Sequence, residues 1–210
     1  MIQRCIILIT GVIILALTAC APREPVHYPP EDAVVAVAGF SQPKHRWEMI
    51  TNHITVDQKK IDKDVIEKLD SDLAALLRQS RQKIVYPEMV KQCKELVAAD
   101  TRPESSAFHF WVQVGKCIPA DYILVPFVFE WRERIGGPLG VQEPAAVVME
   151  LNLIDLQDLQ LQRFFFDERQ FALLEDLSSA GKFFRRGGKW ISARQLANEG
   201  LEQGVRELGL

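Results

Sequence analysis

Phe183-Phe184-Arg185-Arg186-Gly187-Gly188-Lys189-Trp190 is the stretch whose residue types could do the most chemistry. Three cations and two glycines lie between aromatics, just ahead of a helix start. Glycine-rich backbone running into a helix amino terminus can hold an anion, such as the phosphate of a lipid or a cell-wall polymer. The preferred competing reading is a tight turn whose aromatics pack beneath a sheet while its cations stay solvated. The P-loop pattern is absent, so nucleotide binding is not expected. A second candidate surface is 132–141, where Ile135, Leu139 and Val141 stand among glycines. Loops on a rigid sheet often carry recognition, although this one reads equally as a plain strand connection with its apolar residues folded back. If both loops lie at the same end of the sheet, they make a partner-binding face.

Other chemistry is thinly represented. His27, His45, His53 and His109 lack the close helical spacing or the cysteine pairs of a metal site, so no metal and no cofactor are expected. Cys93 with His109 would be a nucleophile and base in principle, but no local signature surrounds either. There is no Gly-x-Ser-x-Gly elbow. The acid pairs Glu133 with Glu143 and Asp155 with Asp158 fall in loop or turn positions, where solvated carboxylates are ordinary. The expectation is a protein that is not an enzyme.

The amino-terminal segment has a different character. Arg4 is a positive head, Ile6 to Leu15 an apolar body, and small residues precede Cys20, which are the three parts of a secretory signal. Leu17-Thr18-Ala19-Cys20 resembles the lipobox of bacterial lipoproteins. That resemblance implies removal of residues 1–19 and multiple acylation of Cys20, because a single acyl chain anchors only marginally. Ala21 is not an aspartate, which in such proteins implies transfer to the outer membrane, with the body on its periplasmic face. The alternative is a retained single-span anchor, since Cys5 to Ala21 is close to the lower limit of roughly 17 residues for a membrane helix. Cleavage would remove only Arg4 among charged residues, leaving 24 basic against 28 acidic and a mature chain near −4. Nothing in that balance suggests nucleic acid. With Cys5 lost and Cys20 acylated, Cys93 and Cys117 are left in an oxidising compartment, where a disulfide is the economical reading; two separate buried thiols are the alternative.

The elements that would position these residues begin after a tether. Residues 20–32 hold the lipidated cysteine and Pro22, Pro25, Pro29 and Pro30, an extended spacer of roughly 35 Å at about 3.1 Å per residue. Residues 33–210 suit one domain. Ala33 to Phe40 reads as a buried strand. Thr55 to Gln58 has capping-box spacing, and Ile61, Val65, Leu69, Leu73, Leu76 and Leu77 recur at helical intervals. A short strand near Ile84 leads to Pro87, placed to open a second helix with Met89, Val90, Cys93, Leu96 and Val97 on one core-facing side. Residues 105–116 are read as a third helix.

Val114 to Val125, with its glycine, Ala120-Asp121-Tyr122 and apolar run, is similar to the helix-to-strand junction of envelope lipoproteins of the curli-secretion and penicillin-binding-protein-activator type, although Pro119 stands where glycine is usual there. Those families imply a general α/β plan. Tyr122 to Trp131 reads as a strand covered on both faces, with Pro126 requiring a bulge or an edge. Ala145 to Leu153 alternates with Glu150 and Asn152 as a half-buried strand, and Leu159 to Phe166 returns beside it. Ser192 and Gln195 form a second capping box, with Ile191 and Leu196 as its staple, opening a closing helix. The fold class expected is α/β (α+β): a mixed sheet with a C-terminal three-stranded meander, helices packed mainly on one face, and a closing C-terminal helix. The functional expectation is a membrane-anchored accessory or assembly factor of the cell envelope, working through an envelope protein partner or a homo-oligomer. The alternative is a module that binds or hydrolyses cell wall or anionic lipid through 183–190.

Overall fold

The computed structural model describes residues 28–51, 59–100, 106–137, 140–169 and 186–210. The signal segment, Cys20, and the Thr55 to Gln58 capping box lie outside them. Among the described residues seven strands form: β1 (Val34–Val37), β2 (Lys83–Val85), β3 (Tyr122–Arg132), β4 (Ile135–Gly136), β5 (Val141–Glu143), β6 (Ala146–Asp155) and β7 (Leu161–Arg169). Four α-helices accompany them, α1 (Lys63–Leu77), α2 (Pro87–Asp100), α3 (Ala107–Lys116) and α4 (Ala193–Glu207), with a short 3-10 turn at Arg46–Glu48. The main sheet has the order β2-β1-β3-β6-β7. Its first three strands are parallel and β3, β6 and β7 run antiparallel as a meander.

The sheet, the meander and the closing helix are as the sequence indicates. The distribution of helices is not: instead of lying mainly on one face, the helices among the described residues divide two and two. α1 and α4 pack over Tyr122, Leu124, Val128, Met149 and Leu151. α2 and α3 pack over Ile123, Val125, Phe127 and Phe129 on the other face. The handedness of parallel crossovers explains this. The chain moves outward from β1 to β2 and then back past β1 to β3, and right-handed connections travelling in opposite directions must cover opposite faces.

One further expectation changes and another is met by one of its alternatives. On α2, Met89 and Leu96 are 51% and 68% exposed, while Val90 and Cys93 face the core. At 3.6 residues per turn, positions one residue apart lie about 100° around the helix. The rotation of α2 follows α3, to which a Cys93–Cys117 disulfide ties it, so Met89 and Leu96 turn outward. Pro126 takes the edge alternative expected for it. Its carbonyl accepts from the Ser41 N–H on the β1 side, and a strand residue points its N and its O to the same edge. The missing donor therefore falls beyond the end of β1. The ladder irregularity lies later, between Val128 and Glu130.

The domain also begins earlier than residue 33. Pro29 is buried, Gln82 Nε2 donates to the carbonyls of Pro29 and Gly209, and the Tyr28 ring lies against Gly209. Thus Tyr28 and Pro29, expected within the tether, lie beside the carboxyl-terminal end of α4, and Glu31 pairs with Arg81 ahead of β2.

Close approach of α4 to the sheet depends on Gly200 and Gly204, where a Cβ would sit 2.3 Å from Met149 and 2.6 Å from Leu151 and Phe164. Gly204→Val should lower stability by about 1–3 kcal/mol through overpacking, measured by chemical or thermal unfolding. A second site makes stability depend on pH. Asp70 of α1 accepts the Phe40 N–H at 2.6 Å, yet burial, with Glu67 and Glu88 nearby, pushes its pKa up to about 6. Folding then favours the protonated form, so this contribution is complete near pH 4 and declines as pH rises through 6. Asp70→Asn, which can still accept from Phe40, should match the parent at pH 4 and exceed it at pH 7.5 by about 1 kcal/mol, a value reduced for partial solvent screening.

Candidate functional site

The two loops singled out in the sequence meet at the end of the sheet where β3 exits and β6 enters. Glu133 follows β3 directly, and its Oε2 accepts the Ala193 N–H at 3.2 Å. Arg134 donates through Nη1 to the Trp190 carbonyl. Between β3 and β6 the chain folds back as the β4–β5 hairpin rather than an irregular loop. Ile135 on that hairpin is 49% exposed. The result is an apolar side chain held in solvent on a support clamped from behind by the 186–190 turn and the start of α4.

The turn itself reverses at Gly187 and Gly188, with φ of +69° and +68°, a region that any residue with a Cβ enters at a cost. Arg186 precedes them and is fully engaged. Its Nε and Nη2 donate to Glu199, the shortest contact being 2.6 Å, and Nη1 and Nη2 reach Glu168 at 3.3 Å. Burial opposes its charge, but the Glu199 and Glu168 carboxylates outweigh that effect and raise its pKa. The amino terminus of α4 is likewise occupied. Ser192 and Gln195 form the expected capping box, and Glu133 brings a carboxylate to the first turn, where the helix dipole favours negative charge. The chain's own acids thus take the places an external anion would need. Lys189 is exposed and Trp190 half-buried, while Phe183, Phe184 and Arg185 lie outside the described residues. Sequence could not show this pairing, because Glu133, Glu168 and Glu199 come from three separate elements.

The remaining candidates have structural partners. Cys93, tied to Cys117, has no thiolate to offer His109, whose Nδ1 lies 2.8 Å from Ser106 Oγ at the head of α3. Asp155 Oδ1 accepts the Gln157 and Asp158 N–H groups, shaping the turn before β7. His45 stacks on Trp47 with ring centroids 5.4 Å apart, and His27 and His53 lie outside the described residues. Among the described residues no group of three or more His, Cys, Asp or Glu could hold a metal ion, and no helix is long and apolar enough to cross a membrane.

One polar cluster escaped the alternation reading of β6. Glu150 and Asn152 are buried, at 1% and 0% exposure, so this strand is covered on both faces. Glu150 Oε2 accepts from Arg163 Nε at 2.7 Å and Nη2 at 2.6 Å, and Oε1 accepts from Thr51 Oγ1 and Asn152 Nδ2 at 2.9 and 2.8 Å. Arg163 also lies over the Phe165 ring, 4.9 Å from its centroid. A signal existed. Glu150 pairs with Phe165 and Asn152 with Arg163 in the β6–β7 register, so acid and cation are diagonal neighbours once the hairpin is drawn.

No protein-family model matches the chain, and no curated protein matches it. Among solved structures it is similar to a PelC dodecamer from Paraburkholderia phytofirmans at 14% identity and TM-score 0.44, covering 88% of this chain and 91% of that one. It is also similar to the LpoB C-terminal domain from Salmonella enterica at 12% identity and TM-score 0.37, covering 66% and 83%. A lipoprotein from Neisseria meningitidis is similar at 11% identity and TM-score 0.38, covering 74% and 99%.

Removing Arg163 alone would leave Glu150 buried without its cation. Arg163→Met should therefore destabilise the domain by roughly 3 kcal/mol. The double variant with Glu150→Gln should recover most of that loss in the same unfolding measurement.

Proposed function

We propose that this chain is a non-enzymatic accessory lipoprotein of the cell envelope, held to the periplasmic face of the outer membrane by acylated Cys20 and acting through protein contacts at the β4–β5 end of its sheet. The supporting observation is the braced hairpin. Ile135 projects into solvent from a support fixed by Glu133 to α4 and by Arg134 to the 186–190 turn, which makes a preorganised surface with little ordering cost on binding. The lipobox at Leu17 to Cys20 and the prolines before Tyr28 supply the anchor and the spacer in this reading. Binding of an anionic polymer or lipid through 183–190 is the lesser reading, because Arg186 is committed to Glu168 and Glu199.

Anchor and contact face are tested separately. In the native host the parent protein should be recovered with membranes and incorporate labelled palmitate, whereas Cys20→Ala should lose the label. Membrane retention of an unlabelled parent would overturn the acyl anchor. A photocrosslinking residue at Ile135 should give one discrete adduct in intact cells, and the same residue at Arg206, exposed at the far end of α4, should not. Equal patterns at both positions would remove the hairpin from the proposal.

A further inference from the structure

We infer that β7 is an interface for a second copy of this chain, the two β7 strands pairing antiparallel about Phe165 so that two five-stranded sheets become one across a twofold axis. This goes beyond the protein-contact reading above, which concerns the β4–β5 hairpin, by assigning a second surface and its occupant.

β7 is the last strand of the sheet, and among the described residues no strand pairs with its outer side. Asp155 N–H donates to the Gln160 carbonyl. With alternate strand residues addressing opposite edges and the register of β6 against β7 unbroken, the even-numbered residues of β7 face β6. The main-chain groups of Leu161, Arg163, Phe165, Asp167 and Arg169 therefore face outward. The usual protections of a strand edge are very short length, proline, a bulge, charged side chains or a covering helix or loop. β7 is nine residues of Leu-Gln-Arg-Phe-Phe-Phe-Asp-Glu-Arg, long, in unbroken register with β6 and without proline, and its charged side chains are of both signs, so that they can pair across a second copy. Phe165, in the middle of it, is 41% exposed.

The side-chain order selects one register. An antiparallel neighbour must set outward groups against outward groups. Centred on Phe165, a second copy of β7 brings Phe165 against Phe165, Arg163 against Asp167, Asp167 against Arg163, and Leu161 against Arg169. All five outward groups are used, and the charges are complementary. On the opposite face Phe164 meets Phe166 of the second copy, an aromatic cross-strand pair of the kind that stabilises sheets. A shift of two residues one way sets Arg163 against Arg169, like charge on like charge. The shift the other way sets Arg163 against Phe165 and leaves Arg169 without an opposite. Arg163 keeps its bond to Glu150 in the centred register, since Glu150 lies on the inner neighbour, β6.

The test uses the full chain purified in detergent, with mass in solution and thermal unfolding measured together. The expected mass is that of two chains at tens of micromolar protein. Phe165→Lys sets like charges against each other on the axis and should weaken association at least tenfold while keeping one cooperative unfolding transition, and its melting temperature should lose the rise with protein concentration that the dimeric parent shows. Directly opposed residues in a hydrogen-bonded antiparallel pair have Cα atoms about 5.5 Å apart, within the roughly 4.4–6.8 Å range of a disulfide. Phe165→Cys should therefore form a covalent dimer on mild oxidation, and Leu161→Cys, which faces Arg169, should not. A monomeric parent, a dimer that survives Phe165→Lys, or equal crosslinking from positions 161 and 165 would each overturn the interface. None of these results bears on the Ile135 adduct, so the two readings fail independently.

Discussion

With both faces of β3 and β6 covered by helices, the antiparallel ladder between these strands is the constraint on which the rest depends. Tyr122, Leu124 and Val128 belong to one core, and Ile123, Val125, Phe127 and Phe129 to the other. A slip of one residue would exchange the two sets and present each to the wrong helices. The ladder accommodates Pro126 because its missing donor points to where β1 has already ended. It accommodates the change of course after Val128 with a local irregularity, beyond which Trp131 and Arg132 continue opposite Val147 and Ala146. From this fixed pair the β4–β5 hairpin springs at one end.

Two-sided burial has an electrostatic consequence. An acid on β6 has no route to water, so Glu150 must find its partners within the fold. Arg163 from β7 and Thr51 from the segment after β1 satisfy it. That arrangement links the outer strand to the centre of the sheet by a charge-assisted contact, and it keeps Arg163 extended across the face where Phe165 is left partly open. The stacking order of the sheet, the burial of β6 and the character of its outer strand are thus one connected set of facts.

The same economy governs the end of the sheet. A cationic, glycine-bearing turn ahead of a helix is attractive to anions, and the fold satisfies that attraction internally with Glu133, Glu168 and Glu199. Ile135 on the supported hairpin stays exposed. A surface of this kind suits contact with another protein better than capture of a phosphate, because Arg186 is already neutralised by Glu168 and Glu199 and the apolar Ile135 is held in place.

Local signals in the chain determined a good deal: the apolar period of α1, proline at the head of α2, the Ser192 and Gln195 box of α4, the order of elements and the mixed α/β class are all short-range properties that a linear pattern carries. They also marked 132–141 and 183–190 as worth attention. Tertiary structure decided the rest. Which face each helix covers follows from crossover direction, which residue spacing does not encode. Met89 and Leu96 face outward because α3 and the tie to Cys117 set the rotation of α2, although their periodicity suits a core. Glu150 and Asn152 read as solvent-facing because alternation reports that two faces differ, and only a second layer of helices determines that both are buried. Arg186 looked available for a ligand, and it was claimed by carboxylates from β7 and α4 that only folding brings within hydrogen-bond reach.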